Sequence, residues 1–331
     1  MNILILGGGS IGKRHTRNLL SLGQTDVAIV EVNPERAKAV TEELRVPTYQ
    51  SLDSAFADKQ WSVVFVCSPS RFHLEQALVC AEHGADLFIE KPLSHTIDDV
   101  YKLMKLVKLK KLTTMVGSNW KFYPLFQKIK ELLDAGVIGR ILSARCQFGA
   151  YLPDWHPWED YRQGYSANKK LGGGILLDSH EFDYLTWFVG KKVTKLACFS
   201  GHISNLEIDV EDVAEVILQF EDGAIGEIHQ DYIQRFPQRN FEFFGSEGTI
   251  VWDVNQKKVV QKSKAHGDAE FLLPEPYDIN TMYIEEIKHF LDCVEKRKET
   301  ITPVEKGAEV LKLICAAKES VETGTIKTLN H

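Results

Sequence analysis

The sequence predicts an α/β protein with two domains: a doubly wound parallel sheet, then an α/β domain built on a large, mostly antiparallel open sheet. Three observations predict this class. Short apolar strands alternate with amphipathic helices up to about residue 116, which is typical of βαβ units. From about residue 141 onward, several segments alternate polar and apolar residues, as strands with one buried face do. A chain of 331 residues also exceeds one ordinary hydrophobic core.

The first domain is predicted over residues 1–118. Residues 2–6 are mainly apolar and lead into a glycine-rich turn, followed by a helix that Gly23 closes. A second strand at 27–32 leads to Asn33 and Pro34, which suit the cap and first position of a helix ending near Leu44. The remaining strands are predicted at 46–49, 63–67, 87–89 and 113–116, and the helices between them at 52–57, 74–81 and 97–109.

The second domain is predicted over residues 119–331. It begins with an amphipathic helix at 124–135 and ends with helices at about 280–296 and 302–322, the last of which is a candidate to pack back on the first domain. Between these helices, period-two strands are predicted at 141–150, 193–202, 213–220, 224–232, 240–244 and 249–254.

Composition narrows the class of protein. A chain with 44% hydrophobic and 26% charged residues is expected to be globular, and a net charge of -7 argues against nucleic-acid binding. Six cysteines without a C-x-x-C pair, and a start that lacks the basic region of a signal peptide, indicate a cytoplasmic protein with reduced thiols. No apolar run reaches transmembrane length, and metal-ligand spacings do not form a convincing cluster, so neither a membrane partner nor a metal is expected.

The clearest chemical motif is the glycine loop, residues 7–12, which follows the first strand. Its G-x-G-x-x-G spacing, where a strand leads into a helix, is typical of dinucleotide binding. Gly7 permits the tight turn, Gly9 lets a pyrophosphate approach the backbone, and Gly12 lets helix and strand pack closely. Ser10 and Ile11 lie at the start of the helix, whose positive end faces the phosphates.

Glu31 supplies the second part of this motif. It lies about 20 residues beyond the last glycine, near the end of the second strand, where a carboxylate accepts hydrogen bonds from ribose hydroxyls. Because that carboxylate would repel a 2′-phosphate, and Arg36 is the only basic residue nearby in sequence, we expect NAD rather than NADP. A solvated carboxylate at a strand end is the alternative interpretation of Glu31.

Further motifs follow in order along almost the whole chain. With the glycine loop and Glu31, they are Cys67-Ser68-Pro69 with His73, Glu90-Lys91-Pro92, Gly117-Ser118-Asn119, and Gly172-Gly173-Gly174 followed by Asp178, His180 and Asp183. Together they resemble the Gfo/Idh/MocA family of NAD(P)-dependent oxidoreductases. The resemblance implies a Rossmann domain, a second domain whose open sheet joins subunits into a homodimer or homotetramer, and hydride transfer between nicotinamide and a sugar or cyclitol carbon.

The resemblance also implies roles for residues of the first domain. Lys91 corresponds to the family's catalytic lysine, which neighbours the substrate hydroxyl. The residues agree with this role, because a partly desolvated lysine at the carboxyl edge of a sheet can relay a proton at neutral pH. A solvated lysine after a strand is the alternative. Contacts with the cofactor are implied for Ser68, Pro69, His73, Glu90 and Lys91, although His73 could instead be a structural polar group.

His180 corresponds to the family's second proton-handling residue, and Asn119, Asp178 and Asp183 are candidates to bind substrate. The commonest family pattern has an aspartate four residues before this histidine, where this chain has Leu176. Asp178 lies only two residues away and points elsewhere on a regular helix, unless a shorter loop brings it to the site, whereas Asp183 could share a helix face with His180. A His180 that merely caps or packs a helix is the remaining alternative.

The segment before the triple glycine, residues 151–170, is predicted to be a loop that binds substrate. Tyr151, Trp155 and Trp158 offer flat faces for stacking on a sugar, and Arg162 could meet an anion with two parallel hydrogen bonds. Since two lysines follow at 169 and 170, a phosphorylated or nucleotide-linked sugar is expected. The alternative is that the tryptophans pack the loop against its own domain and the basic residues are solvated.

These observations predict an NAD-dependent dehydrogenase that acts on a secondary hydroxyl of a sugar. Two alternatives on the same fold are a glycosidase that uses bound NAD transiently, with no net NADH, and a non-catalytic nucleotide-binding sensor. The presence of both Lys91 and His180 favours an enzyme over a sensor, because a protein that only binds needs no proton relay.

Overall fold

The structure is a computed structural model that describes residues 1–155, 157 and 160–329. The chain forms two compact units. The first comprises Met1–Asn119 and Asp278–Glu309, and the second comprises Trp120–Tyr277 and Val310–His331.

The first unit is built on a six-stranded parallel sheet. Its strands are β1 (Asn2–Leu6), β2 (Asp26–Val30), β3 (Thr48–Tyr49), β4 (Val63–Val66), β5 (Asp86–Ile89) and β6 (Thr114–Val116). The order β3-β2-β1-β4-β5-β6 confirms the predicted doubly wound sheet. Because the order reverses between β1 and β4, the carboxyl ends of these two strands form the switch point where such sheets bind ligands.

Five helices connect these strands, and their starts follow local sequence signals. They are α1 (Ser10–Ser21), α2 (Pro34–Leu44), α3 (Leu52–Asp58), α4 (His73–Glu82) and α5 (Val100–Lys110). The predicted cap of α2 is confirmed, since the side chain of Asn33 accepts a hydrogen bond from the Arg36 N–H at 3.0 Å and Pro34 is the first helical residue. Helix α5 begins later than predicted because Asp99 adopts a left-handed conformation with φ 61.

The second unit is built on a nine-stranded sheet. Its strands are β7 (Ile141–Gly149), β8 (Val193–Gly201), β9 (Val213–Phe220), β10 (Ile225–Asp231), β11 (Gln238–Gly245), β12 (Gly248–Asp253), β13 (Lys258–Ser263), β14 (Ala269–Leu272) and β15 (Lys327–Thr328). The order is β14-β13-β12-β11-β7-β10-β9-β8-β15, and β7 with β10 is the parallel pair among antiparallel neighbours. The mostly antiparallel open sheet is therefore confirmed. Strands β13, β14 and β15 were not predicted, because short, partly exposed segments give little periodic signal.

The helices of the rest of the chain are α6 (Pro124–Asp134), α7 (Leu152–Trp155), α8 (His180–Val189), α9 (Asn280–Lys296) and α10 (Val304–Thr323). In the second unit, α6 and α8 cover one face of the sheet. Phe126 of α6 and Phe188 of α8 pack edge-to-face on Phe241 of β11. No helix in the described part of the chain combines the length and apolar character that crossing a bilayer requires.

The other face of the nine-stranded sheet, called here the open face, exposes apolar side chains in the described part of the chain. Phe199, Ile217 and Ile225 share that face, and they are 82%, 45% and 40% exposed. The alternation of buried and exposed residues along β9 and β10 matches the period-two pattern of the sequence.

Candidate active site

The glycine loop between β1 and α1 contains two positions where only glycine fits. Gly7 has φ +103, and a Cβ there would lie 2.9 Å from the carbonyl oxygen of Cys67. A Cβ at Gly12 would lie 2.0 Å from the carbonyl oxygen of Gly7. Gly7 therefore permits the turn, and Gly12 permits the close packing of α1 on β1.

Gly9 differs from these two glycines, because a Cβ there would meet nothing within 4 Å. It precedes α1, where no side chain caps the helix, and Ser10 and Ile11 are the first helical residues. The first N–H groups of a helix lack intrahelical partners and carry the positive end of its dipole. This open, electropositive helix start fits the pyrophosphate of a dinucleotide.

Glu31 is held beside the glycine loop. Its side chain is 4% exposed and accepts hydrogen bonds from the backbone N–H groups of Gly8 at 3.0 Å and Asn33 at 2.9 Å. The Arg36 guanidinium lies 3.6 Å from the same carboxylate. Glu31 is thus a buried, oriented carboxylate rather than a solvated one, and it is suited to accept hydrogen bonds from ribose hydroxyls.

The other motifs of the first unit share this edge of the sheet, because all six strands are parallel. Ser68 and Pro69 follow β4, Glu90 and Lys91 follow β5, and residues 117–119 follow β6. Lys91 is partly buried. The Ser68 hydroxyl donates a hydrogen bond to the side-chain amide oxygen of Gln76 at 2.7 Å. The switch point and the candidate catalytic lysine therefore lie on neighbouring strands of one sheet.

His73 connects two of these loops. Its Nδ1 lies 2.8 Å from the Pro92 carbonyl oxygen, and its Nε2 lies 2.6 Å from the Ser68 carbonyl oxygen. The pKa of His73 is lowered, because burial disfavours the imidazolium more strongly than the two carbonyls and the charge of Glu90 favour it. We infer that His73 serves the cofactor site by positioning the loops after β4 and β5.

Glu90 is anchored by His15 of α1. Its Oε1 lies 2.6 Å from His15 Nε2, and its Oε2 accepts from the backbone N–H of Lys91 at 3.2 Å. Burial would raise the pKa of Glu90, but the hydrogen bond and charge of His15 and the charges of Lys91 and His73 outweigh burial and lower it. A carboxylate therefore stands next to Lys91 and joins α1 to the loop after β5.

Helix α9 supports the loop after β6, and this contact was not predicted from the sequence. The buried carboxylate of Glu286 accepts from the backbone N–H of Ser118. The Asn119 amide donates to the Met282 sulfur at 3.5 Å, so this candidate for substrate binding is held against α9. The one sequence signal for such a contact was an acidic residue on the apolar face of an amphipathic helix.

In the second unit, the triple glycine forms a close-packed turn before α8. A Cβ at Gly173 would lie 2.2 Å from the Tyr165 carbonyl oxygen, and a Cβ at Gly174, where φ is +110, would lie 2.4 Å from the Glu211 carboxylate. The same carboxylate accepts from the backbone N–H of Leu176 at 3.2 Å. These contacts lead the chain tightly into the helix that carries His180.

His180 is the first residue of α8, and its ring contacts a phenol. Its Nδ1 lies 2.7 Å from the Tyr184 hydroxyl, one helical turn later. Asp183, the acid that shares a helix face with His180, pairs with the Lys121 ammonium at 2.7 Å, and that lysine side chain is 2% exposed. Asp178 is buried immediately before the helix.

A buried ionic cluster, the Glu181 cluster, fixes the start of α8. The fully buried Glu181 forms an ion pair with Arg239, whose Nε lies 2.8 Å from the carboxylate. The Gln230 amide donates to Glu181 at 3.2 Å and to the Asp178 carbonyl oxygen at 2.7 Å. The Arg239 guanidinium lies between two aromatic rings, 4.9 and 4.4 Å from their centroids.

The candidate substrate residues of the segment 151–170 make contacts within the second unit. The Trp155 indole N–H donates to the Ala150 carbonyl oxygen at 3.3 Å, and the Arg235 guanidinium lies 3.5 Å from the centroid of the Tyr151 ring. Arg162 pairs with Asp160 at 2.8 Å and with Glu207 at 2.9 Å, so an anion would compete with two carboxylates for it. Trp158 lies outside the described residues.

Two family models match the chain. One, described as an oxidoreductase family with an NAD-binding Rossmann fold, matches residues 1–118, and the other, a GFO/IDH/MocA C-terminal domain, matches residues 126–251. The chain belongs to the Gfo/Idh/MocA family. The resemblance seen in the motifs is thus confirmed, and with it the Rossmann fold of the first unit, its NAD cofactor and the assignment as an NAD-dependent oxidoreductase.

Several relatives and solved structures are similar over nearly the whole chain. A myo-inositol 2-dehydrogenase of Thermotoga maritima is 30% identical over 97% of this chain and 96% of its own. A levoglucosan dehydrogenase in complex with NADH is 22% identical, with a TM-score of 0.90 over 100% of this chain and 99% of its own. The WlbA dehydrogenase of Bordetella pertussis, in complex with NADH and UDP-GlcNAcA, is 20% identical, with a TM-score of 0.83 over 100% of this chain and 99% of its own.

The described residues contain no group of three or more His, Cys, Asp or Glu side chains placed to hold a metal ion.

Proposed function

We propose that this protein oxidises a secondary hydroxyl of a sugar or cyclitol, with NAD as the hydride acceptor. The main observation behind this proposal is the position of Lys91, which lies at the same edge of the sheet as the glycine loop and Glu31. Bound NAD supplies a nicotinamide that accepts the hydride. The protein supplies the proton acceptor and the groups that orient the substrate.

Lys91 is the proposed proton acceptor. Oxidation of a secondary hydroxyl needs a group that takes the hydroxyl proton as the hydride leaves the carbon, and a neutral amine can do so. The hydrogen bonds that run from His15 through Glu90 to the backbone of Lys91 hold the lysine at the sheet edge. His180, Asn119, Asp178 and Asp183 are the proposed contacts with the substrate, and Ser68 and Pro69 remain proposed contacts with the cofactor.

An uncharged polyhydroxylated ring is the substrate class that the contacts favour. The relatives named for myo-inositol and levoglucosan act on rings of this kind, and Arg162 is already paired with two carboxylates. A phosphorylated or nucleotide-linked sugar is the second candidate, supported by the exposed Lys169 and Lys170 and by the nucleotide sugar bound to the WlbA dehydrogenase.

The test is a substrate panel with purified protein. We expect NADH absorbance to rise with NAD and at least one member of a panel of myo-inositol, levoglucosan, glucose, a sugar phosphate and a nucleotide sugar. If phosphorylated or nucleotide-linked members give a higher kcat/KM than every neutral ring, and Arg162→Ala raises their KM, the second candidate is correct. Product release without net NADH would indicate the glycosidase alternative. Tight NAD binding without turnover of any member would indicate a sensor.

We also propose that a second copy of this chain covers the open face of the nine-stranded sheet, giving a homodimer or homotetramer. The support is the large exposed side chains of Phe199, Ile217 and Ile225 on one face, since exposed apolar patches commonly mark protein interfaces.

A further inference from the structure

We propose that the Tyr184 hydroxyl fixes His180 in the tautomer that carries its proton on Nε2. The imidazole then acts as a hydrogen-bond donor to the substrate oxygen and not as a base. Tyr184 is thereby a positioning residue. The inference rests on the proposed function only for the identity of the substrate oxygen.

The side chains of His180 and Tyr184 are held in place by their contact with each other and by the packing of Phe126 on Tyr184. His180 and Tyr184 are four residues apart on α8, so their side chains lie on one helix face. The ring centroids are 5.3 Å apart with 20° between the ring planes, and the phenol oxygen lies 2.7 Å from Nδ1. Tyr184 is completely buried, and the ring of Phe126 from α6 packs edge-to-face on it at 5.4 Å. The phenol therefore has little freedom to turn away from the imidazole.

The chemistry of the two groups decides which one donates. A phenol O–H, with an ordinary pKa of about 10, is a stronger donor than a neutral imidazole N–H, while an imidazole nitrogen, whose conjugate acid has a pKa of about 6.5, is the stronger acceptor. Nδ1 therefore accepts from Tyr184, and because a neutral imidazole has one donor and one acceptor, its proton lies on Nε2.

The charges near His180 agree with this assignment. A carboxylate at Nδ1 would instead take the Nδ1 proton, leave a lone pair on Nε2 and favour the basic role. Asp183, which shares this helix face, is paired with the buried Lys121 ammonium. Glu181, the adjacent acid, is paired with Arg239 and bonded to Gln230.

Nitrogen NMR of the full-length protein labelled with ¹⁵N-histidine tests the tautomer directly. The His180 signals are those lost in His180→Gln. We expect an unprotonated Nδ1 and a protonated Nε2 in the wild type, and a changed ratio of the two forms in Tyr184→Phe, which keeps the ring and removes the hydroxyl. Tyr123→Phe makes the same chemical change elsewhere in the second unit and should leave the His180 signals unchanged. A protonated Nδ1 in the wild type, or no change in Tyr184→Phe, would overturn the proposal.

Kinetics test the donor role with conservative variants. Glutamine at position 180 retains an N–H donor but is no base, whereas alanine retains neither. Loss of a donor to a developing oxyanion costs about 10²–10³ in kcat, so we expect His180→Ala to lose about a hundredfold and His180→Gln at least about tenfold less. Equal losses in the two variants would mean that His180 is a base. If no panel substrate is oxidised, the proposed function fails, and the NMR result still decides the tautomer.

Discussion

Glu31 is the residue on which the choice of cofactor depends. Its buried carboxylate is held beside the glycine loop, and Arg36 lies 3.6 Å away. We expect Glu31→Gln to raise the NADP-to-NAD ratio of kcat/KM by about tenfold or more, since removal of one charge repulsion worth about 1.4 kcal/mol gives that factor.

The matched control for this prediction is Glu35→Gln, which removes the same charge from the exposed first turn of α2 and should leave the ratio unchanged. A wild-type protein that prefers NADP, or a ratio that does not move in Glu31→Gln, would contradict the role given to Glu31.

Lys91 is the residue on which turnover should depend. Replacement by alanine removes a proton acceptor whose contribution is about a hundredfold or more in rate. We expect Lys91→Ala to lose at least this factor in kcat while NADH binding, measured by fluorescence titration, stays close to that of the wild type. Lys102→Ala, at a largely exposed lysine of α5, is the control and should turn over normally. Near-normal turnover by Lys91→Ala would disprove the assignment.

At the scale of single elements, the start of α8 depends on the Glu181 cluster. Arg239→Met would leave the carboxylate of Glu181 buried without its cation, and breaking a buried pair in this way costs about 3–5 kcal/mol. We expect a loss of that size in the free energy of unfolding measured in urea. Because the double variant Glu181→Gln with Arg239→Met removes both charges of the pair, it should recover part of the loss.

The control for the cluster is a surface pair of the same chemistry. Arg17 of α1 pairs with Glu43 of α2, and both side chains are well exposed. Arg17→Met should therefore cost less than about 1 kcal/mol. Equal losses from Arg17→Met and Arg239→Met would mean that burial of the Glu181 cluster has no special energetic importance.

Strands β9 and β10 carry a pH-dependent contact on the open face of the sheet. His229 lies 2.8 Å from Asp231 and 2.6 Å from Glu215, and hydrogen bonds to these carboxylates, against the opposing effect of burial, raise the pKa of His229 to about 9. A raised pKa stabilises the fold fully below the unfolded value of about 6.5, and this stabilisation disappears as pH rises through about 9.

We therefore expect His229→Gln to lower Tm more at pH 6 than at pH 9.5, as measured by differential scanning calorimetry. His202→Gln is a suitable control, because that histidine approaches an acid only at 3.7 Å. A loss in Tm from His229→Gln that is equal at both pH values would show that the imidazolium form contributes nothing to stability.

The oligomeric state of the protein should depend on the open face of the nine-stranded sheet. The double variant Phe199→Glu with Ile217→Glu places two charges on that face, and we expect it to shift the molar mass in light scattering to that of a monomer. Leu109→Glu changes an apolar residue of α5 that is 76% exposed and should leave the mass unchanged. A wild-type monomer at micromolar concentration would refute the proposed interface.

Much of the fold could be predicted because its signals are local. The helix from Asn280 to Lys296, the cap at Asn33 and the alternation along β9 all depend on residues within a few positions of one another. Strand β15 shows the limit of this reasoning. It is two residues long and exists only through its pairing with β8, so no periodic pattern could reveal it.

The class of the molecule and its cofactor follow from the amino-acid sequence alone. Glycine spacing and a carboxylate about 20 residues later are requirements of local geometry, so Gly7, Gly12 and Glu31 can be assigned from their positions in the chain. The tertiary fold, by contrast, determines which groups meet across long stretches of chain: Glu286 with Ser118, Arg239 with Glu181, and Lys121 with Asp183. Packing, not sequence spacing, selects these partners, because a buried polar group must find a complementary one wherever the fold brings it. Tertiary structure also decides the partner of His180, because the rotamers of the two rings on α8 bring the Tyr184 phenol to its imidazole.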